Sequence, residues 1–199
     1  MTAAVGAMVL ATVGTSAQTP AGGTIFRVRP DPRMCPSPLC GGFWVSRVNR
    51  ATTSCVDGVA RAWCYVAGID HWRLRGGTFL VRGRIVGGSA AASPGRLSAT
   101  GEWTPATAAP WGGPVYLLTD TGIRCVRAPC FSLRAATVNT TLGSSVSGLD
   151  LSAVSAGSGL VRKAEATLTS GGLLLAGTIH RDADRGRTLR ATQFFLAAG

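Results

Sequence analysis

Apolar residues in this chain come in short runs of strand length, separated by glycine, proline, asparagine and aspartate. TIFRVR from Thr24 and PVYLLT from Pro114 read as strands, as do LVRGRIVGG from Leu80 and LLAGTIHRD from Leu174. Asp57-Gly58 is a turn dipeptide, and it predicts a hairpin in which Cys55 faces Cys64. Alternation then puts Trp63 and Tyr65 on one face and Cys64 and Val66 on the other. Leu151 to Ser170 is rich in Ala, Ser and Leu and ends at Gly171-Gly172, which predicts the one helix, interrupted at Gly157 and Gly159. Asp70 and Asp150 stand at helix N-cap positions, with the first helix cut to His71 to Arg75.

The pattern repeats. MCPSPLCGGFWVSRVN from Met34 and RCVRAPCFSLRAATVN from Arg124 each carry two cysteines with four residues between them, then a Val-Asn pair. TIFRVR faces PVYLLT at the same ninety-residue offset, and Ile69-Asp70 then faces Leu149-Asp150. LVRGRIVGG matches LLAGTIHRD, and RLSATGEW from Arg96 matches TLRATQFF from Thr188. The expected fold is α+β and mainly β: two tandem related antiparallel units, each with a C-x4-C disulfide loop. Residues 24–103 form the first unit, with an extra disulfide hairpin, 104–113 the linker and 114–199 the second. Residues 1–23 read as a signal peptide and spacer, with Thr15-Ser16-Ala17 at the cleavage site.

Six cysteines suit an exported chain. The repeat favours the pairs Cys35–Cys40, Cys125–Cys130 and Cys55–Cys64. A zinc site of four cysteines joining the copies is the rival, disfavoured by oxidising export. Each C-x4-C loop would contribute about 2 kcal/mol through lost chain entropy.

The formal net charge is +11, and of 20 basic residues only Lys163 is lysine. Such a charge suits a polyanion partner, although the basic residues are scattered. No P-loop, zincin, nucleophile-elbow or dinucleotide pattern occurs, and neither cofactor nor metal is expected. The histidines, His71 and His180, give no catalytic constellation by themselves. Asp182-x-Asp184-x-Gly186 reads as a hairpin turn, and Asn139-Thr140-Thr141 is a glycosylation sequon. All five tryptophans lie between Trp44 and Trp111, so the second copy has none. Phe43 aligns with Leu133 and belongs to the core, which leaves Trp44 on the more exposed face. Aromatics with interleaved arginines stack on sugars or bases.

MCPSPLCGGFWVSRVN, TTSCVDG, CYVAGID, LVRG and GIRCVRAPCFSL together resemble an uncharacterised family of secreted bacterial proteins, a domain of unknown function. The resemblance implies export and disulfides and brings no activity with it. The leading expectation is an exported, non-enzymatic binding or envelope-associated protein, secreted or periplasmic. Its partner would be an anionic polysaccharide or a cell-envelope component, bound at Trp44, Trp63, Tyr65, Trp72, Arg73 and Arg75. The alternatives are a protease inhibitor presenting Arg127 in its disulfide loop, and a hydrolase whose site the sequence does not display.

Overall fold

The structure is a computed structural model that describes residues 23–36, 40–70, 77–87, 94–183 and 186–198. The expected signal peptide, Pro38, His71, Trp72, Arg73, Arg75 and Asp184 lie outside the described residues. The protein is mainly β. The first half has β1 (Thr24–Pro30), β2 (Phe43–Arg47), a small hairpin of β3 (Thr53–Ser54) and β4 (Ala60–Arg61), β5 (Cys64–Asp70), β6 (Phe79–Val86) and β7 (Gly95–Pro105). The second has β8 (Val115–Asp120), β9 (Leu133–Thr137), β10 (Gly143–Val146), β11 (Gly148–Asp150), a 3-10 turn at Ser152–Val154, α1 (Ser158–Ser170), β12 (Leu173–Asp182) and β13 (Gly186–Ala197).

The pairings close two rings. In the first, β1 pairs with β2, β2 with β5, β5 in parallel with β7, β7 with β6, and β6 with β1. In the second, β8 pairs with β9, β9 with β10, β11 in parallel with β13, β13 with β12, and β12 with β8. Since only Ser147 separates β10 from β11, those two act as one broken third strand. Both rings therefore run first–second–third–fifth–fourth and back to the first. In each ring the fifth strand carries one extra residue, Thr100 or Thr192, where the register shifts at a glycine of the fourth strand, Gly83 or Gly177. A Cβ there would collide with the facing carbonyl of Ser98 or Arg190, so only glycine fits the bend.

Strand alternation fills the rings. Phe26, Val28, Phe43, Val45, Val66, Phe79, Val81 and Leu97 point into the first. Tyr116, Leu118, Leu173, Leu175, Leu189 and Phe194 fill the second, which α1 covers through Ala164, Leu160 and Leu168. Burying each large side chain contributes about 1.5–3 kcal/mol.

A third apolar cluster lies between the rings. It holds Ile25, Val48 and Leu80 from the first half and Val115, Val138, Leu174 and Phe195 from the second, with Trp103 and Trp111 packed against it. The two Val-Asn pairs lock this junction. Asn49 Nδ2 donates to the Val115 and Val138 carbonyls (2.7 and 3.0 Å), and its Oδ1 accepts from Val115 N–H at 2.8 Å. Asn139 does the same in reverse. Its Nδ2 donates to the Ile25 and Val48 carbonyls (2.7 and 2.9 Å), and its Oδ1 accepts from Ile25 N–H at 2.9 Å. Every partner is displaced by ninety residues, so the contact is two-fold in form. Both asparagines have positive φ, 57° and 59°, a conformation asparagine tolerates. Because the Asn139 amide is committed in this way, the sequon marks a structural clasp.

Three local expectations are corrected. The helix begins at Ser158 rather than Leu151, because Gly157 is extended and only a 3-10 turn precedes it. Asp150 ends β11 rather than capping a helix, and its carboxylate accepts from Ser152 N–H at 2.9 Å. Thr104 and Pro105 are strand residues of β7, paired with Leu196 and Phe195 of β13, so the connector starts at Ala106. Fully buried Gln193 pins the connector. Its Oε1 accepts from Ala106 N–H, and its Nε2 donates to the Thr107 carbonyl and hydroxyl.

Candidate functional site

The six cysteines form the pairs Cys35–Cys40, Cys55–Cys64 and Cys125–Cys130, with Cα separations of 5.4–5.6 Å. These separations are usual for disulfides, and the pairing leaves no thiolates for a zinc site. Cys55–Cys64 fastens the β3–β4 hairpin to β5 and brings Trp63 beside the sheet.

Outward-facing residues of the first ring assemble the candidate surface. Inward Phe26 and Val28 leave Arg27 and Arg29 on the outside of β1, and inward Phe43 and Val45 leave Trp44 and Ser46 on the outside of β2. Register sets Arg29 opposite Trp44, and Trp44 opposite Tyr65. Three strands thus carry one row of cation, indole and phenol. The Trp44 and Tyr65 rings meet edge to face at 5.5 Å. The Arg33 guanidinium lies 5.3 Å from the Trp44 ring and 5.6 Å from that of Tyr65, and Arg29 lies 4.5 Å from the Trp63 ring. Arg27 stacks at 3.7 Å on Trp111, which packs in turn on Phe195. A cavity of about 470 Å³ adjoins this face, lined by Arg27, Ser46 and Trp63 among others.

Asp31 holds the surface in shape. Its buried carboxylate takes bonds from Arg33 Nε and Nη2 (2.8–3.0 Å). The Arg33 hydrogen bonds keep this carboxyl below the ordinary carboxylate range. Tyr65 Oη accepts from Gly42 N–H at 3.1 Å, which fixes the end of the Cys35–Cys40 loop against the sheet. At Gly42 a Cβ would run into the Val66 carbonyl and the Tyr65 ring, so the loop closes there only on glycine.

Of the anticipated residues, Trp44, Trp63 and Tyr65 are brought together, all partly buried. Trp72, Arg73 and Arg75 lie outside the described residues. The sequence reading missed Arg27, Arg29 and Arg33. Alternation within TIFRVR was the available signal for the first two, and nothing local marked Arg33. Arg127 is exposed on the Cys125–Cys130 loop beside fully exposed Val126. His180 lies exposed on β12, its Nε2 2.8 Å from Thr178 Oγ1. Among the described residues, no group of three or more His, Cys, Asp or Glu could hold a metal ion, and no helix is long and apolar enough to cross a membrane.

A closed ring of five strands, with one parallel pair and a helix between the third and fourth strands of the second ring, is the strand order of OB-type Greek-key barrels. Residues 24–199 match the model of a family described as a domain of unknown function (DUF6748), and the chain belongs to that family. Comparison with curated proteins and with solved structures returns no match.

Proposed function

We propose that this is an exported, non-enzymatic binding protein for an anionic polysaccharide of the cell envelope or its surroundings, built from two tandem related units. The observation that carries the reading is the row Arg29–Trp44–Tyr65, flanked by Arg33, Arg27 and Trp63. Aromatic faces offer flat apolar platforms to sugar rings, while guanidinium groups meet carboxylates or sulfates in bidentate fashion. The excess of positive charge favours encounter with such a chain. Three disulfides support an oxidising compartment outside the cytoplasm. Barrels of this strand order bind oligosaccharides and oligonucleotides, but the argument rests on the surface rather than on that likeness.

The test is binding of heparin and alginate to the full chain and to Trp44→Ala/Trp63→Ala, by calorimetry at fixed salt. Each stacking contact is worth about 1–3 kcal/mol, so the double variant should bind at least about tenfold more weakly. Equal affinity would remove this face from the reading. A second reading, protease inhibition, draws on the exposure of Arg127 within its disulfide loop. It requires stoichiometric inhibition of a trypsin-like protease that Arg127→Ala abolishes.

A further inference from the structure

The junction between the rings holds a second cavity, of about 520 Å³, which shares Arg47 and Arg50 with the cavity beside Trp63 but is lined by none of that face's aromatic residues. It lies within the size range of small-molecule sites. Among the described residues four arginines line it, Arg47, Arg50, Arg82 and Arg134, and no carboxylate does. Among the described residues none of these four forms an ion pair. Arg47 Nε is covered and finds no protein acceptor, a situation uncommon for a buried donor. Arg50 spends Nε and Nη2 on the Asn139 carbonyl, and Arg82 lies 5.1 Å from the Trp103 ring. Arg134 takes, on β9, the place that Trp44 takes on β2, and it is exposed. Leu117 and Leu142 supply apolar wall.

The ninety-residue correspondence sharpens the contrast with the cavity beside Trp63. Leu117, Ala136, Val138, Asn139 and Ile25 here answer to Arg27, Ser46, Val48, Asn49 and Val115 there. The junction thus repeats the same pocket twice, but Arg82 and Arg134 are added to this one alone. Arginine stays charged at any working pH and fits phosphate oxygens as a planar fork. Several unpaired guanidinium groups around one cavity repel each other until an anion of matching charge enters.

We propose that this cavity binds a compact, multiply charged phosphate anion, held by Arg47, Arg82 and Arg134. The site borders the polysaccharide face at Arg47 but uses none of its aromatic residues. The test titrates the full chain with inorganic tripolyphosphate, inorganic phosphate and sulfate at constant ionic strength. Tripolyphosphate should bind at least about tenfold more tightly than either small anion. Arg134→Gln should weaken it by about tenfold or more without moving the thermal midpoint, since that side chain is exposed. Arg82→Gln should weaken it similarly, and Trp44→Ala/Trp63→Ala should leave it unchanged. Tripolyphosphate affinity that matches sulfate, or that Arg134→Gln and Arg82→Gln both leave intact, would overturn the proposal. Loss only in the tryptophan variant would also overturn it, by assigning the anion to the aromatic face.

Discussion

At the residue scale, two asparagines and one aspartate do more than their exposure suggests. Asn49 and Asn139 each satisfy two carbonyls and one N–H of the opposite ring. Removing a side chain strands those groups, at about 1–3 kcal/mol for an unsatisfied buried polar group. Asn49→Ala and Asn139→Ala should therefore lower stability in urea by similar amounts, about 2 kcal/mol or more each. Asp31 predicts a pH response. Its folded pKa lies below its unfolded value near about 3.9, so its stabilisation is complete above that value and fades as pH falls through the folded pKa. The carboxyls of Asp57, Asp120 and Asp150 shift the same way: Asp57 chiefly by its bond from Val59 N–H, Asp120 by Arg124, Asp150 by Ser152. The urea midpoint should hold steady from pH 7 to about 5 and drop below about 4. The drop should be smaller in Asp31→Asn, and that variant should also bind heparin less well, because Arg33 loses the anchor that holds it beside the Trp44 ring.

At the element scale, the disulfides have unequal duties. The Cys55–Cys64 bond spans nine residues, pins a hairpin to the barrel and buries Cys64 within it. Loop entropy alone assigns it about 2–3 kcal/mol. Cys55→Ser/Cys64→Ser should cost at least that and weaken polysaccharide binding, because Trp63 precedes β5 directly. Cys125→Ser/Cys130→Ser should cost about 2 kcal/mol or less and leave that binding intact, since its loop is exposed. Most elements were legible as patterns. Alternation in β1 and β5, the Asp57-Gly58 turn and the hairpin ending at Gly186 follow from strand period and turn chemistry. The helix start was not legible, because Ala, Ser and Leu populate a 3-10 turn and a loop as readily as a first helical turn. Its beginning depends on Gly157 lying extended, and β11 pairing with β13 takes residues up to Asp150 into the barrel.

For the whole molecule, the junction is the decisive feature. Across it each Val-Asn turn grips the first strand of the other ring by hydrogen bonds. Apolar Ile25, Leu80, Val115 and Leu174 lie on outer faces of their rings and need one another for burial. Either half expressed alone would therefore expose them. Strand alternation, cysteine spacing and the offset were determined by the sequence itself, since they depend on neighbours a few residues apart. The same holds for Trp44, Trp63 and Tyr65, whose outward placement follows from inward neighbours. Tertiary structure alone decided which arginines count. Arg29 meets Trp44 through antiparallel register, and Arg82 and Arg134 share a cavity although fifty-two residues separate them. Charge scattered along a chain becomes a site only when ring closure and packing bring it to one place. That placement depends on long-range pairing, which local sequence does not encode.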